Sequence, residues 1–303
     1  LYIMTENYKS LEQFLSNHKC QKSTGQEYTH TSIGSQDLNI YGGSYTIPEK
    51  NKCKFYELYY KHVFSQKKKT YLTEKHSTHS PILIDLDFRF NSKIIDRQYD
   101  ENVIISFLKL YVTELVNYID IDKSKISAFV LEKSVPVQVQ NNDKEGYTKD
   151  GIHIIFPHII TSPQIQYVLR YKMLNNSKCK QLFQDINITN PIEDIFDVAV
   201  IERNNWQMYG STKPGCEPYK LSKILTFMEI SNEFKLTPLD TCNDQDLVKL
   251  LSIQQYNETD VVSVLNTKED EFNNIYDKLP AKHRKRKTRT LNINKKKKSP
   301  KIK

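Results

Sequence analysis

Apolar residues recur at intervals of three and four from residue 101 to 119 (Ile104, Phe107, Leu108, Tyr111, Val112, Leu115, Val116, Ile119). That spacing predicts one long amphipathic helix, with Asp100 as its N-cap. Shorter helical patterns are expected over 5–20, with Leu11, Phe14 and Leu15 inward, and over 53–64 through Phe55, Leu58, Tyr59 and Val63. Ser162-Pro163 should cap and open another helix, broken near Asn175-Asn176-Ser177 and resuming to about Gln184. One more short helix is expected at 244–255. Strand patterns fall at 81–88, 126–132 and 149–157, then near 197–202, 206–209 and 224–230. The Gly/Ser/Thr-rich stretch 23–45 and the polar stretch between 132 and 149 read as loops. Strands outnumber helices in the middle of the chain and some must run antiparallel, so the fold class expected is α+β.

Two of these strands carry unusual cargo. Pro81-Ile82-Leu83-Ile84-Asp85-Leu86-Asp87-Phe88 places two carboxylates two residues apart, hence on one face. Such a pair repels itself unless a proton or a cation sits between the acids. In Lys149-Asp150-Gly151-Ile152-His153-Ile154-Ile155-Phe156-Pro157, Ile152, Ile154 and Phe156 share one face, and Gly151, His153 and Ile155 the other. Farther on, Asp197 opens the expected 197–202 strand, and Arg203 to Pro214 ends in Gly210-Ser211-Thr212-Lys213, a turn rich in donors for phosphate oxygens. Trp206 is expected in the core, whereas Tyr209, beside the glycine turn, could stack on a base.

Composition narrows the classes. The chain has 303 residues, 38% hydrophobic, with mean hydropathy −0.62, as expected of a soluble protein. No apolar run approaches the ~20 residues of a membrane helix, no signal peptide is visible, and no membrane partner is expected. The chain begins at Leu1 with Met4 close behind, so we expect a fragment or a natural start at Met4. Five scattered cysteines without a Cys-x-x-Cys pair argue for reduced thiols and against a zinc site; Cys179, Cys216 and His158 would be the ligands otherwise. Twelve of the basic residues and no acidic one lie in 281–303, so the net charge of +8 leaves −4 on the remainder. That tail, with Lys282, Arg284, Lys285, Arg286, Lys287 and Arg289, cannot bury a core and is expected to be disordered. It could capture nucleic acid by counterion release, serve as a nuclear import signal, or be a solvated tether. Gly-x-x-x-x-Gly-Lys-Ser/Thr does not occur, so no P-loop ATPase is expected in this chain.

Taken in order, Asp-x-Asp, Gly-x-His, Asp and Tyr-Gly-Ser-x-Lys resemble the archaeo-eukaryotic primase superfamily. The likeness is greatest to the primase domain of the primase–helicases of large eukaryotic (nucleocytoplasmic) DNA viruses. It covers roughly residues 40–225, including Tyr71-Leu72-Thr73-Glu74 and Glu217-Pro218-Tyr219-Lys220-Leu221. One departure is Gly151, where the family's second motif often has Ser; a phosphate-contacting hydroxyl is lost, but glycine permits close backbone approach. The resemblance implies an archaeo-eukaryotic primase fold with an RRM-like antiparallel or mixed sheet. It implies a catalytic domain over 1–240 (core about 40–230), a helical linker over 241–280 and the basic tail. The implied activity is DNA primase or primase-polymerase, joining NTPs or dNTPs on a single-stranded DNA template. A replicative helicase would stand in the same full-length protein or act in trans, at a viral replication site in the host cytoplasm, with a nuclear phase left open.

Nucleotidyl transfer of this kind uses two Mg2+ or Mn2+ ions about 3.5–4 Å apart. Asp85 and Asp87 would hold the ion on the triphosphate and Asp197 would complete the second site. His153 is cast as a phosphate contact, its role in the family. Lys213, Ser211 and Arg203 are candidates for the β- and γ-phosphates, Lys149 is a further one at the loop entrance, and Arg89 a template contact. A metal-dependent nucleotide-sugar transferase also uses Asp-x-Asp, but needs no distant third Asp beside Gly-Ser-x-Lys. A metal nuclease would bring more His or Glu ligands, and a rolling-circle endonuclease needs His-x-His. A non-catalytic single-strand-binding module of a replication helicase is the remaining alternative. Deleting 281–303 should flatten the salt dependence of single-stranded DNA binding, measured by anisotropy across a salt series; an unchanged slope identifies the tail as a tether.

Overall fold

The computed structural model describes residues 8–21, 27–141, 144–256 and 258–280. The basic tail and the start of the first expected helix lie outside them. Two antiparallel sheets organise the chain. The smaller has the order β2–β1–β3–β8, from β1 (His30–Ser32), β2 (Gly43–Tyr45), β3 (Leu72–Glu74) and β8 (Trp206–Gln207). The larger runs β10–β9–β5–β7–β4, with β6 paired to the far part of β7. Its strands are β4 (Ser80–Asn91), β5 (Ser127–Glu132), β6 (Val137–Asn141), β7 (Lys144–Thr161), β9 (Lys220–Met228) and β10 (Glu233–Thr237). Around them the described residues form eight α-helices, so the class is α+β as expected. They are α1 (Leu11–Asn17), α2 (Glu49–Tyr60), α3 (Glu101–Tyr118), α4 (Pro163–Asn175), α5 (Ser177–Gln184), α6 (Ile192–Ile195), α7 (Asp244–Leu250) and α8 (Glu269–Lys278).

Alternation decides which face of the large sheet is dry. Ile82, Ile84, Leu86, Phe88 and Phe90 of β4 and Ile152, Ile154 and Phe156 of β7 point to one side. There they meet the α3 stripe of Ile104, Phe107, Leu108, Tyr111, Val112 and Leu115, with α4 and α5 completing the layer. Each large side chain so buried contributes about 1.5–3 kcal/mol. Asp100 caps α3, its carboxylate accepting from the Val103 N–H at 3.0 Å. Ser162 does not cap α4 with its side chain; the extended residue simply delivers Pro163 into the first turn, where no N–H is needed. The break before α5 falls where expected, and Asn176 caps that helix through the Lys178 and Cys179 amides. Burial pushes the Cys179 thiol up to about 12, which suits a core cysteine rather than a ligand.

Three expectations fail for physical reasons. The 23–45 stretch contains β1 and β2, and its glycines mark close approach rather than looseness: a Cβ on Gly42 would lie 2.7 Å from the Gly34 nitrogen. The polar stretch before Lys149 is the β6–β7 hairpin, hidden because Val137 is itself 42% exposed. Residues 197–202 are not a strand. The Asp197 carboxylate accepts from the Ala199 N–H at 2.8 Å, and a 3-10 turn over Ala199–Ile201 follows. Residues 241–280, expected as a helical linker, include α7 and α8, with Leu247 and Leu251 in one apolar cluster and Phe272 and Leu279 in the main core.

The small sheet is joined to the turn after α7 through a buried carboxylate. Glu74, fully buried, accepts from the Ser252 hydroxyl and from the Ile253 N–H at 3.1 Å. Tyr56 lies 2.8 Å from the same hydroxyl, and His30 is 3.6 Å from the carboxylate. Removing that acceptor strands two donors, so Glu74→Ala should cost roughly 3 kcal/mol in urea unfolding. A loss under about 0.5 kcal/mol, within the range of surface substitutions, would contradict this account of the junction.

Candidate active site

The second face of the large sheet is covered at one end only. Leu83, Phe129, Leu131 and Ile155 pack there against Val200, Trp206, Leu247 and Leu251. Farther along the same strands the apolar residues give way to Asp85, Asp87, Gly151 and His153, and the space between the sheets opens into a cavity of about 250 Å3. The register of β4 on β7 sets the layout: Asp85 opposes His153, Asp87 opposes Gly151, and Arg89 opposes Lys149.

Asp197 reaches the same cavity without a strand of its own. Its N–H donates to the Asp85 carbonyl at 3.0 Å, on the outer edge of β4, and Phe196 bridges to Leu86. Arg170 fixes this segment from behind, donating to the Phe196 carbonyl at 2.7 Å and the Glu193 carbonyl at 2.6 Å. An acid more than 100 residues away in sequence is thus brought beside the Asp-x-Asp pair.

The electrostatics are strained. Burial, then Asp87 and Asp197, push the Asp85 carboxyl up to about 8, despite Lys149 and Lys213 nearby. Burial, and after it the charges of Lys213, Lys133 and Lys149, hold His153 well below the ordinary histidine value, so its imidazole is neutral at pH 7. Asp85 Oδ1 and His153 Nε2 are 3.6 Å apart, too far for a hydrogen bond and, with both groups driven towards neutrality, not an ion pair. Asp85 Oδ1 is buried without any hydrogen-bond partner. Lys149 Nζ lies 2.9 Å from Asp87 Oδ2, a cation on one acid while the other stays orphaned.

The residues present fit a hard divalent cation. The donors are carboxylate oxygens, one is an orphan, and a lysine stands in at its neighbour. Among the described residues no three His, Cys, Asp or Glu side chains are gathered into a ready-made metal cage. Mg2+ and Mn2+ seldom need one, since they are held by one or two carboxylates with waters and substrate phosphates.

Of the expected nucleotide contacts, His153, Lys149 and Lys213 line the cavity. Three others do not. Ser211 is buried, its hydroxyl donating to the Thr70 carbonyl at 3.0 Å. Tyr209 stacks on Phe64, with ring centroids 5.3 Å apart, and donates to Asp244 at 3.0 Å, so it braces α7 rather than offering a face to a base. Arg203 is exposed and is not among the cavity-lining residues. Arg89 lies over the Tyr147 ring at 5.3 Å. Trp206 is buried as expected, and its ring lies 4.7 Å from that of His153.

Sequence reasoning missed a supporting clamp. Arg97 grips Asp150 with two hydrogen bonds, of 2.9 and 3.2 Å, and donates to Glu132 at 3.1 Å and to the Lys133 carbonyl at 2.8 Å. Asp150 in turn accepts from the Gly151 N–H at 2.9 Å. No local pattern marks Arg97, which sits in the loop after β4.

Residues 29–225 match the family described as "C962R protein N-terminal AEP domain". AEP denotes the archaeo-eukaryotic primases, so the class of the domain is primase-type. The chain belongs to this family. A protein named as a helicase in Acanthamoeba polyphaga mimivirus is 34% identical over 216 residues, covering 71% of this chain and 21% of that protein. A second helicase-named protein, from Invertebrate iridescent virus 6, is 28% identical over 242 residues, covering 74% of this chain and 24% of its own length. The chain therefore spans between a fifth and a quarter of the relatives it matches. No helix among the described residues is long and apolar enough to cross a membrane.

The raised Asp85 carboxyl has a consequence for stability. Folded protein holds a proton there that the unfolded chain releases near pH 4, so this group lowers stability progressively as pH rises from about 4 to about 8. In EDTA, Asp85→Asn should therefore raise the melting temperature relative to wild type at pH 8.5 by more than at pH 5. An equal difference at both pH values would contradict the assignment.

Proposed function

We propose that this domain is a DNA primase or primase-polymerase, joining NTPs or dNTPs on a single-stranded DNA template in viral DNA replication. The observation that carries the reading is the convergence of Asp85, Asp87 and Asp197 on one cavity, beside a neutral imidazole and three lysines. Primase-type family membership and viral relatives support it. The helicase names of those relatives support a helicase fused to this domain or working beside it. A replication site in the host cytoplasm is the setting we propose. The finer reading of the fold as RRM-like rests on the β4–α3–β5–β7 unit, whose third strand lies between the first two.

Asp85 and Asp87 would hold one Mg2+ or Mn2+ ion, and Asp197 would complete the site of a second. Bound there, such ions supply positive charge for the triphosphate and acidify the attacking 3′-hydroxyl. Lys149, 2.9 Å from Asp87, would be free for a phosphate oxygen with that acid engaged by a cation instead. Lys213 adds a second ammonium. His153, held neutral, can donate one N–H to a phosphate without bringing a charge that would compete with the cation. These residues neutralise the pyrophosphate that leaves as the 3′-oxygen bonds to the α-phosphorus.

The test is incorporation of labelled nucleotide on a single-stranded template, with and without a primer. Asp85→Ala, Asp87→Ala and Asp197→Ala should each lower incorporation by at least ~10^3-fold, the scale of losing a main electrostatic contribution. Single-strand binding should be retained. Parallel loss of binding and incorporation would contradict the site, and degradation of the template would make the protein a nuclease instead.

A further inference from the structure

A row of residues crosses four strands of the large sheet at the cavity. The ladders pair Glu132 with Lys220 and with Ile152, and Gly151 with Asp87. One step farther along those antiparallel ladders, Lys133 stands next to Tyr219 on one side and Gly151 on the other. The row therefore reads Tyr219, Lys133, Gly151, Asp87, and all four line the cavity.

Its glycine is a gap that a neighbour fills. A Cβ on Gly151 would lie 2.9 Å from the Leu86 carbonyl oxygen, 3.1 Å from the Tyr219 hydroxyl and 3.3 Å from Asp87 Oδ1. The tyrosine ring is fixed by stacking on His153, with centroids 3.6 Å apart and planes 17° apart. Lys133 Nζ lies 5.2 Å from the centroid of the same ring. The Lys133 backbone is held by Arg97, yet among the described residues its ammonium pairs with no carboxylate, and the Tyr219 hydroxyl makes no hydrogen bond. Two rigidly based donors, an ammonium and an O–H, thus face one cavity with nothing to donate to.

We propose that the Tyr219 hydroxyl, seated where a side chain at residue 151 would stand, and the Lys133 ammonium bind phosphate oxygens of a nucleoside triphosphate held in the cavity they line. The Lys133 ammonium can only donate, and the phenol beside it has an O–H free to donate in the same direction, so a ligand that satisfies both is an anion. The row ends at Asp87, and an anion beside a carboxylate must share a cation with it, which points to a metal–polyphosphate rather than a lone phosphate. This inference rests on the nucleotidyl-transfer reading and adds two residues to it.

Calorimetry of the full chain with Mn2+ and inorganic tripolyphosphate, repeated with a nucleoside triphosphate, tests it. Tyr219→Phe keeps the ring on His153 and removes only the hydroxyl. Lys133→Gln removes only the charge. Each should weaken tripolyphosphate binding about tenfold and leave the melting temperature unchanged; a purely structural role would move the melting temperature and spare the affinity. Wild-type affinity in both variants overturns this inference and leaves the wider reading standing. If the wild-type chain takes up neither polyphosphate, both fall. Should Tyr219→Phe fail to fold, Lys133→Gln decides alone.

Discussion

Everything at the candidate site depends on the register of β4 against β7. The two strands pair from Ser80–Thr161 to Asn91–Tyr147, with one irregularity between Pro81 and Ile82. Because side chains alternate, that register sends Ile82, Ile84, Leu86 and Phe88 into the core and Asp85 and Asp87 to the other face. A slip of one residue would bury both acids under α3 and expose the isoleucines, at a cost no local contact could offset. The apolar half of the strand therefore guarantees the position of the acidic half. The same ladder leaves the edge of β4 free to receive the Asp197 N–H, so the third acid is located by backbone bonding rather than by side-chain attraction.

The acids themselves work against folding. Asp85 is driven towards its protonated form by burial and by two neighbouring carboxylates, and its inner oxygen has no partner. The surrounding structure over-determines the arrangement through the sheet ladder, Arg170 behind Asp197, and Arg97 behind Gly151 and Lys133. Unfavourable charge held in place by rigid surroundings is the mark of a site prepared for something not made of protein. The same cavity holds the complementary excess: Lys133, Lys149 and Lys213 all depress the His153 imidazole. Acids and lysines sharing one cavity match a ligand that brings both a cation and an anion.

Legibility in the sequence followed periodicity. The α3 helix, the break between α4 and α5 and strands β4 and β5 all have apolar repeats long enough to read, and Asp100 and Asn176 mark their ends. The acidic pair and His153 could be assigned to one face because each lies in an apolar strand whose alternation is unambiguous. The failures occur where local sequence yields to tertiary partners. β1 and β2 are three residues each and exist through pairing with β3. Asp197 looked like the start of a strand because apolar residues follow it, yet those residues turn inward from a 3-10 turn. Ser211 and Tyr209 looked like phosphate and base contacts because of the adjacent glycine, but their hydroxyls are used up by Thr70 and Asp244. Lys133 was within reach, since it continues the alternation of β5 by one step. Arg97 was not, because its partners come from three separate strands and loops.

The central claim is that Asp85, Asp87 and Asp197 gather around divalent cations. Anomalous X-ray diffraction from crystals grown with Mn2+ and a non-hydrolysable nucleoside triphosphate addresses it most directly. The account predicts manganese peaks within coordination distance, roughly 2.0–2.3 Å, of carboxylate oxygens of Asp85 and Asp87, with Asp197 turned to the same centre. Manganese bound elsewhere while this cavity holds only water, with the Lys149–Asp87 pair intact, would contradict it.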